Sequence, residues 1–439
     1  MTARLQSWGR YPYHSQTAHP VPWRDQLRDT WADVAAANLS TLAYGNGRSY
    51  GDSGLAATDH VVYMRALDRF ISTDWASGVV RAEAGTTLDA VLQLAVPRGW
   101  MLPVTPGTKY ATLGGAVAND VHGKNHHVRG TFGRHVRRFS LLRSTHEPVE
   151  CAPDENTALF EATIGGLGLT GLLEWVEIQL MPIRSSRVRV TSIRFDNLDE
   201  FFALSEELDS QHEYSVAWID CLSKGASLGR GIFMVGDHAE DGDLTVVSKK
   251  KRTVPLTPPL SLINPLTLRG FNALYYNRQK GKTVRSDVDY DTYFYPLDGL
   301  LEWHRIYGRR GFQQYQCVLP QVNSRDGMRA ILQAIGASGT GSFLAVLKRC
   351  GDLASPGLLS FPMAGASLAL DFPQHDERNR SLFERLDAIV REAAGRMYPA
   401  KDAHMSAVDF QRAYPAWHQL EALRDPALMS RFWQRTTQI

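Results

Sequence analysis

The chain has 439 residues, 44% of them hydrophobic and 21% charged, with a formal net charge of +2. That length exceeds what one hydrophobic core usually spans, so two domains are expected, and the composition is that of an ordinary enzyme rather than a disordered or collagenous chain. The near-neutral charge gives no global attraction for nucleic acid, and the widely spaced Cys151, Cys221, Cys317 and Cys350 argue against a zinc site or a disulfide framework.

The opening stretch, MTARLQSWGRYPYHSQ, lacks the apolar core of a signal peptide, and no later stretch approaches a membrane span. A cytoplasmic protein is expected, with a peripheral seat on the inner membrane face left open. Residues 60–64 (HVVYM) and 78–85 (GVVRAEAG) are rich in β-branched residues between turn formers and are expected as strands. Residues 86–99 place Leu88, Val91, Leu92 and Ala95 on one helical face, with Thr86 or Thr87 available to cap the start. A glycine-dense turn at 164–171 (IGGLGLTG) runs into an apolar, strand-like continuation. Further on, 188–195 reads as a strand, 197–208 as a helix, and 214–222 and 231–236 as strands. The same order returns at 312–320, 324–336, 342–350 and 367–373, which predicts one antiparallel sheet with helices on one face. A long helix is expected over 377–397.

Between these halves, residues 249–286 hold nine Lys or Arg, no Asp or Glu, and four prolines, mixed with Leu, Ile, Phe and Tyr. Prolines and the lack of clean periodicity predict a mobile loop. It is either a solvated insertion or a basic, apolar surface of the kind that anionic lipid attracts.

Two more glycine loops precede residue 130. One is YGNGRSYGDSG (44–54); the other lies within PGTKYATLGGAVANDVHGKNHH (106–127) and contains Gly107, Gly114 and Gly115. Glycine permits positive φ and close backbone approach, so successive N–H groups can cradle an anion. Neither loop matches the dinucleotide GxGxxG or the P-loop, which disfavours a nicotinamide Rossmann site and an ATPase. His122, His126 and His127 form no HExxH and have no acidic ligand close in sequence, so no metal is expected and an anionic ligand fits better.

Together, YGNGRSYGD, TPGTKYATLGGAVANDVHGKNHH, FGRHV and IGGLGLTG resemble the PCMH-type FAD-binding domain of the vanillyl-alcohol-oxidase class of flavoproteins. LQSWGR (5–10), YQCVLP (315–320), LALDFP (368–373) and MYPAKDA (397–403) extend the likeness over nearly the whole chain. HGKNHH with YPAKD narrows it to the family of oxidative subunits of decaprenylphosphoryl-ribose 2′-epimerase.

The resemblance implies an α+β fold with an FAD-binding domain over 5–184, completed by 397–439, and a substrate domain over 185–396 that carries the loop 249–286. It implies FAD gripped by Gly45, Asn46, Gly47, Arg48, Ser49 and Tyr50 in the first loop. Gly107, Thr108, Gly114, Gly115, Asn119 and His122 would form the second grip, with Ile164, Gly168 and Tyr398 completing the flavin surroundings. Arg48 stands where some members of the class carry a flavin-linking histidine, so a non-covalent FAD is expected. Lys401 is the leading catalytic residue by this resemblance, with Tyr50 and His122 beside it. Lys124, Trp218, Gln314, Gln316, Lys348 and Ser367 are expected around the substrate, and Gln314 and Gln316, two apart on one strand, would share a face.

The implied reaction is oxidation of the ribose 2-hydroxyl of a polyprenyl-phosphoryl-ribose to the ketone. A separate NAD(P)H-dependent short-chain reductase would complete epimerisation to the arabinose form, for arabinofuranose glycans of the cell envelope. Ala369, Ser367 and Phe294 stand where mycobacterial members carry cysteine, asparagine and tyrosine, which leaves substrate preference open while the redox chemistry is expected to survive. Two other readings stay open: a flavin oxidase of a soluble sugar, alditol or aldonolactone, and a non-catalytic flavin-binding scaffold of a glycan-assembly complex.

Overall fold

The computed structural model describes residues 4–246 and 251–438. In the first third, strands pair antiparallel in the order Phe70–Asp74, Val79–Glu83, Leu172–Gln179, Val136–Arg143, His146–Cys151. The helix Leu88–Ala95 shares their core, burying Leu88, Val91, Leu92 and Ala95 as their spacing predicts. Thr87, rather than Thr86, caps it by accepting from the Ala90 N–H at 3.2 Å. A smaller sheet orders Arg4–Leu5, Gln16–Pro20, His60–Tyr63 and Ala43–Tyr44, and the first glycine loop leaves its last strand.

The largest sheet has eight antiparallel strands, starting with Thr283–Asp289, Arg187–Phe195, Gly231–His238 and Tyr214–Ile219. It continues with Val346–Cys350, Gly365–Pro373, Phe312–Pro320 and Arg396–Met397. Period-two alternation gives its central strands two different faces. Tyr315, Cys317, Leu319, Leu368, Leu370 and Phe372 join the core. Helices Leu198–Leu208, Gln321–Ser338 and Asp376–Glu392 supply that core with Phe201, Ile331 and Leu386. Gln314, Gln316, Ser367, Ala369 and Asp371 point the other way, into a cavity.

Three expected elements differ. Residues 251–286 carry regular structure instead of a continuous loop: helix Pro265–Asn277 and edge strand Thr283–Asp289. Asn264 starts the helix by accepting from the Leu266 and Thr267 N–H groups, while the Thr267 hydroxyl accepts from the Asn264 N–H. Lys249 and Lys250, part of the expected loop, lie outside the described residues. The helix expected to reach 397 stops at Glu392, because Ala394 takes φ 54° and Arg396–Met397 pair with Cys317–Val318 as a strand. The strand expected from 342 starts at Val346, since the Ser342 hydroxyl bonds the Leu344 and Asp371 N–H groups and ends the pairing.

The C-terminal helices Ala407–Ala413, Trp417–Leu423 and Arg431–Thr437 return to the first third. There Arg435 pairs with both Asp52 and Asp402, at 2.9 and 2.8 Å. All four cysteines are free and buried. Among the described residues no helix is long and apolar enough to cross a membrane.

Candidate active site

Both glycine loops, the polar face of the large sheet and the Tyr398–Lys401 turn meet around one cavity of about 490 Å³. That size suits a cofactor or a drug-sized ligand.

The first loop follows strand Ala43–Tyr44. Gly47 takes φ 60°, which a side chain rarely adopts, and an added Cβ would collide with the Tyr44 hydroxyl. Backbone bonds from the Tyr50 N–H to the Ala400 carbonyl (3.0 Å) and from the Asp52 N–H to the Asp402 carbonyl (3.3 Å) lay this loop against the Lys401 turn. Gly51 permits the approach, since a Cβ there would run into the Asp402 carbonyl. Arg48 stacks over the Trp8 ring at 4.1 Å, and Asn46 donates to the Tyr110 carbonyl at 2.8 Å, joining the two loops.

In the second loop, Thr112 accepts from the Gly115 N–H at 3.1 Å and starts the short helix Leu113–Ala118. The Tyr398 hydroxyl donates to the Asn119 carbonyl at 2.9 Å. Asp298 accepts from the Lys109 N–H at 2.8 Å, so the segment carrying Asp298 is fastened to this loop. Burial raises its carboxyl to about 6.

His122 sits between two sheet residues: Lys348 Nζ is 2.6 Å from Nδ1, and Gln316 Nε2 is 3.1 Å from Nε2. Lys348 also donates to the Gly123 carbonyl at 2.6 Å. Burial, then the Lys348 charge, holds the imidazole well below its usual pKa, so it is neutral near pH 7. Burial brings Lys348 down to about 8 and Lys124 to about 7, with Lys348 further depressing Lys124. Lys124 donates to the Tyr293 carbonyl and lies 4.1 Å from that residue's ring centre.

Lys401 Nζ lies over the Tyr50 ring, and burial lowers its pKa to about 7 against the opposing pull of Asp371. The Asp371 carboxyl is itself raised to about 7 by burial, with Gln314 donating to it at 2.6 Å and the Tyr307 hydroxyl facing it. The site thus holds a partly neutral amine near a partly protonated carboxyl, the carboxyl buried and the amine partly so, an arrangement suited to moving one proton near neutrality.

Of the residues expected at this site, the cavity wall includes Gly45, Asn46, Gly47, Arg48, Ser49, Tyr50, Gly107, Thr108, Gly114, Gly115, Asn119, His122, Gly168, Tyr398 and Lys401. It also includes Lys124, Trp218, Gln314, Gln316, Lys348 and Ser367, together with Phe294 and Ala369. Ile164 is the exception. It is fully buried against Gly133 and Gly357, and Leu167 and Gly168 reach the cavity in its place, because the chain turns at positive-φ residues 165, 167 and 168. Asp371, Asp298 and Trp8 were not anticipated. Asp371 was within reach of period-two reasoning, since it pairs with Gln314 in register and lies two and four residues beyond Ala369 and Ser367.

The wall fits FAD. No Cβ fills the space beside Gly107 and Gly168, and the buried Arg48 Nε has no protein partner. A cavity walled by two glycine loops and by Lys124, Lys348 and Lys401 is that of an FAD-dependent oxidoreductase, and the family model described as an FAD binding domain matches residues 23–152. Decaprenylphosphoryl-β-D-ribose oxidase of Mycolicibacterium smegmatis is 35% identical over 97% of this chain and 95% of its own length. The chain belongs to that family. L-gulono-1,4-lactone dehydrogenase of Mycobacterium tuberculosis is 21% identical over 91% of this chain and 90% of its own. Delta(24)-sterol reductase of Homo sapiens is 28% identical over 40% of this chain and 32% of its own.

Proposed function

We propose that this enzyme oxidises the ribose 2-hydroxyl of a polyprenyl-phosphoryl-ribose to the 2-ketone. Its part 5–184 with 397–439 holds FAD and its part 185–396 holds the substrate. One arrangement supports the phosphate-bearing substrate: the Lys348 amine meets His122 Nδ1 and the Gly123 carbonyl, the Lys124 amine meets the Tyr293 carbonyl, and among the described residues neither forms an ion pair. A phosphate supplies the missing counter-charge, whereas a neutral soluble sugar leaves both amines uncompensated.

Bound FAD supplies the hydride acceptor. Lys401 accepts the proton of the 2-hydroxyl, with its amine held in place by the Tyr50 ring. His122, fixed by Lys348 and Gln316, orients the sugar, and Gln314, Gln316 and Ser367 offer hydrogen bonds to its remaining hydroxyls. Trp218 walls the pocket on the tail side, next to Tyr275. The ketone then passes to a separate NAD(P)H-dependent reductase that returns it as the arabinose epimer, which puts the pair on the cytoplasmic side, peripheral to the membrane. Ala369 and Ser367 offer no thiol, so compounds that act by trapping a cysteine at this wall do not bond to it.

The test is an anaerobic visible spectrum of the purified protein during addition of a short-chain polyprenyl-phosphoryl-ribose. Bleaching of the flavin band supports the reading. A band that stays oxidised with this compound and bleaches with free sugars, alditols or aldonolactones replaces it with the soluble-sugar oxidase.

A further inference from the structure

Helix Pro265–Asn277 has two unlike sides. Leu268, Asn272 and Tyr276 face the protein, and Tyr275 reaches the cavity wall with its ring centroid 4.5 Å from that of Trp218. On a 3.6-residue helix, Leu266, Gly270, Ala273 and Leu274 share the opposite side, with Arg269 and Arg278 along its two edges. That outer side is uncovered and, apart from Asn277, apolar: Leu266 is 81% exposed and Leu274 75%. Leu256 and Leu260, 77% and 79% exposed, stand just before the helix. Their segment is fastened to the body by Arg10, which donates to Thr257 and Gly308, and by the Leu262 N–H donating to the Ile306 carbonyl at 2.9 Å.

Solvated surfaces seldom gather leucines this way. Within 249–286 the charge has one sign, for no Asp or Glu occurs there, and Asp220 and Asp196 meet the helix on its inner side through Asn272 and Tyr276. Among the described residues Lys282 is paired, to Glu200, while Arg252, Arg269, Lys280 and Arg285 make no ion pair. Exposed leucines with Arg269 and Arg278 along their edges, in a stretch that carries no acid, match one kind of partner, an anionic lipid surface with acyl chains below and phosphates above.

We propose that this helix and the leucine segment before it dock the enzyme on an anionic bilayer, with the leucines in the acyl boundary and the arginines at the headgroups. The cavity wall at Tyr275 and Trp218 then lies directly behind the membrane contact, and a polyprenyl tail reaches it without crossing water. That purpose rests on the polyprenyl-substrate reading; the docking itself needs no turnover.

The experiment is co-sedimentation of the FAD-loaded enzyme with vesicles of phosphatidylcholine alone and of phosphatidylcholine with phosphatidylglycerol, beside the variant Leu266→Glu/Leu274→Glu. Binding to the anionic vesicles, weakened at least about tenfold in the double variant and by high salt, supports the proposal. Turnover of a short-chain substrate in solution is unchanged in that variant, which separates docking from a folding defect, and the flavin spectrum checks the fold independently. Equal binding to neutral and anionic vesicles, or binding unaffected by the two glutamates, overturns the proposal. Absence of binding to either vesicle also overturns it and assigns the face to a protein partner, while short-chain flavin bleaching would still uphold the substrate reading. Vesicle binding without any bleaching supports the docking and removes the substrate reading instead.

Discussion

The Lys401 amine lies 3.7 Å from the centre of the Tyr50 ring, which joins the first glycine loop to the turn that follows strand Arg396–Met397. Two backbone hydrogen bonds and the bare backbone of Gly51 hold the loop and the turn together at that point. The proposed cofactor grip and the proposed proton acceptor are therefore parts of one unit, closed from behind by Arg435 between Asp52 and Asp402.

Lys401→Met removes the proposed proton acceptor and leaves the glycine loops intact. Its expected effect is a loss of about 10²–10⁴-fold in the rate of substrate-dependent flavin bleaching, with the FAD content unchanged by absorbance. A variant that bleaches its flavin as fast as the parent assigns the proton acceptor to another group.

Asp371→Asn tests the pH dependence. Asp371 raises the Lys401 pKa, opposing the larger lowering by burial. Removing that carboxyl lets the amine stay neutral at lower pH, so the acidic limb of kcat/KM, expected near pH 7 in the parent, moves to lower pH. The other groups facing this pair are Tyr50, Tyr307 and His122. The tyrosines are held protonated and the histidine neutral over this range, so none of them supplies the limb. A limb that does not move, measured across pH 5–9 with the short-chain substrate, assigns it to another group.

Gly47→Ala strains the first loop at φ 60° and drives a methyl into the Tyr44 hydroxyl. The expected cost is about 1–3 kcal/mol in FAD affinity, read by fluorescence titration of the stripped protein. In the parent, acid precipitation releases the flavin to the supernatant, because Arg48 cannot form the covalent bond that a histidine there makes. Flavin retained in the pellet contradicts this.

Lys124→Met removes one of the two cavity amines that make no ion pair among the described residues and touches no group bonded to His122. KM for the phosphoryl substrate rises about tenfold with kcat nearly unchanged, as expected for a contact equal in ground and transition states. An equal fall in kcat places Lys124 in the chemical step instead.

Much of this site was legible in the sequence through the motifs that carry the family resemblance, and only a few placements follow from local spacing. The alternation of Gln314 and Gln316 about Tyr315 predicts their shared face, and the helical spacing of Leu88, Val91, Leu92 and Ala95 predicts their burial. Asp371 escaped although the same alternation reaches it, since a carboxylate in an apolar strand reads as solvent-facing until the pairing register is known. Ile164 was misplaced because a glycine-rich turn sets side-chain direction by φ signs, which composition does not encode. Helix Pro265–Asn277 was hidden for the reason that makes it useful: its leucines face outward and its inner side buries an asparagine and a tyrosine, so the usual one-sided pattern is inverted.

The position of the new carbonyl tests the central claim most directly. The enzyme is run to a single turnover on a short-chain polyprenyl-phosphoryl-ribose, and the product is trapped with borodeuteride and examined by NMR. The expected result is deuterium at ribose C2 alone, distributed between the ribo and arabino epimers. Deuterium at any other carbon, or none with the flavin bleached, contradicts oxidation of the 2-hydroxyl.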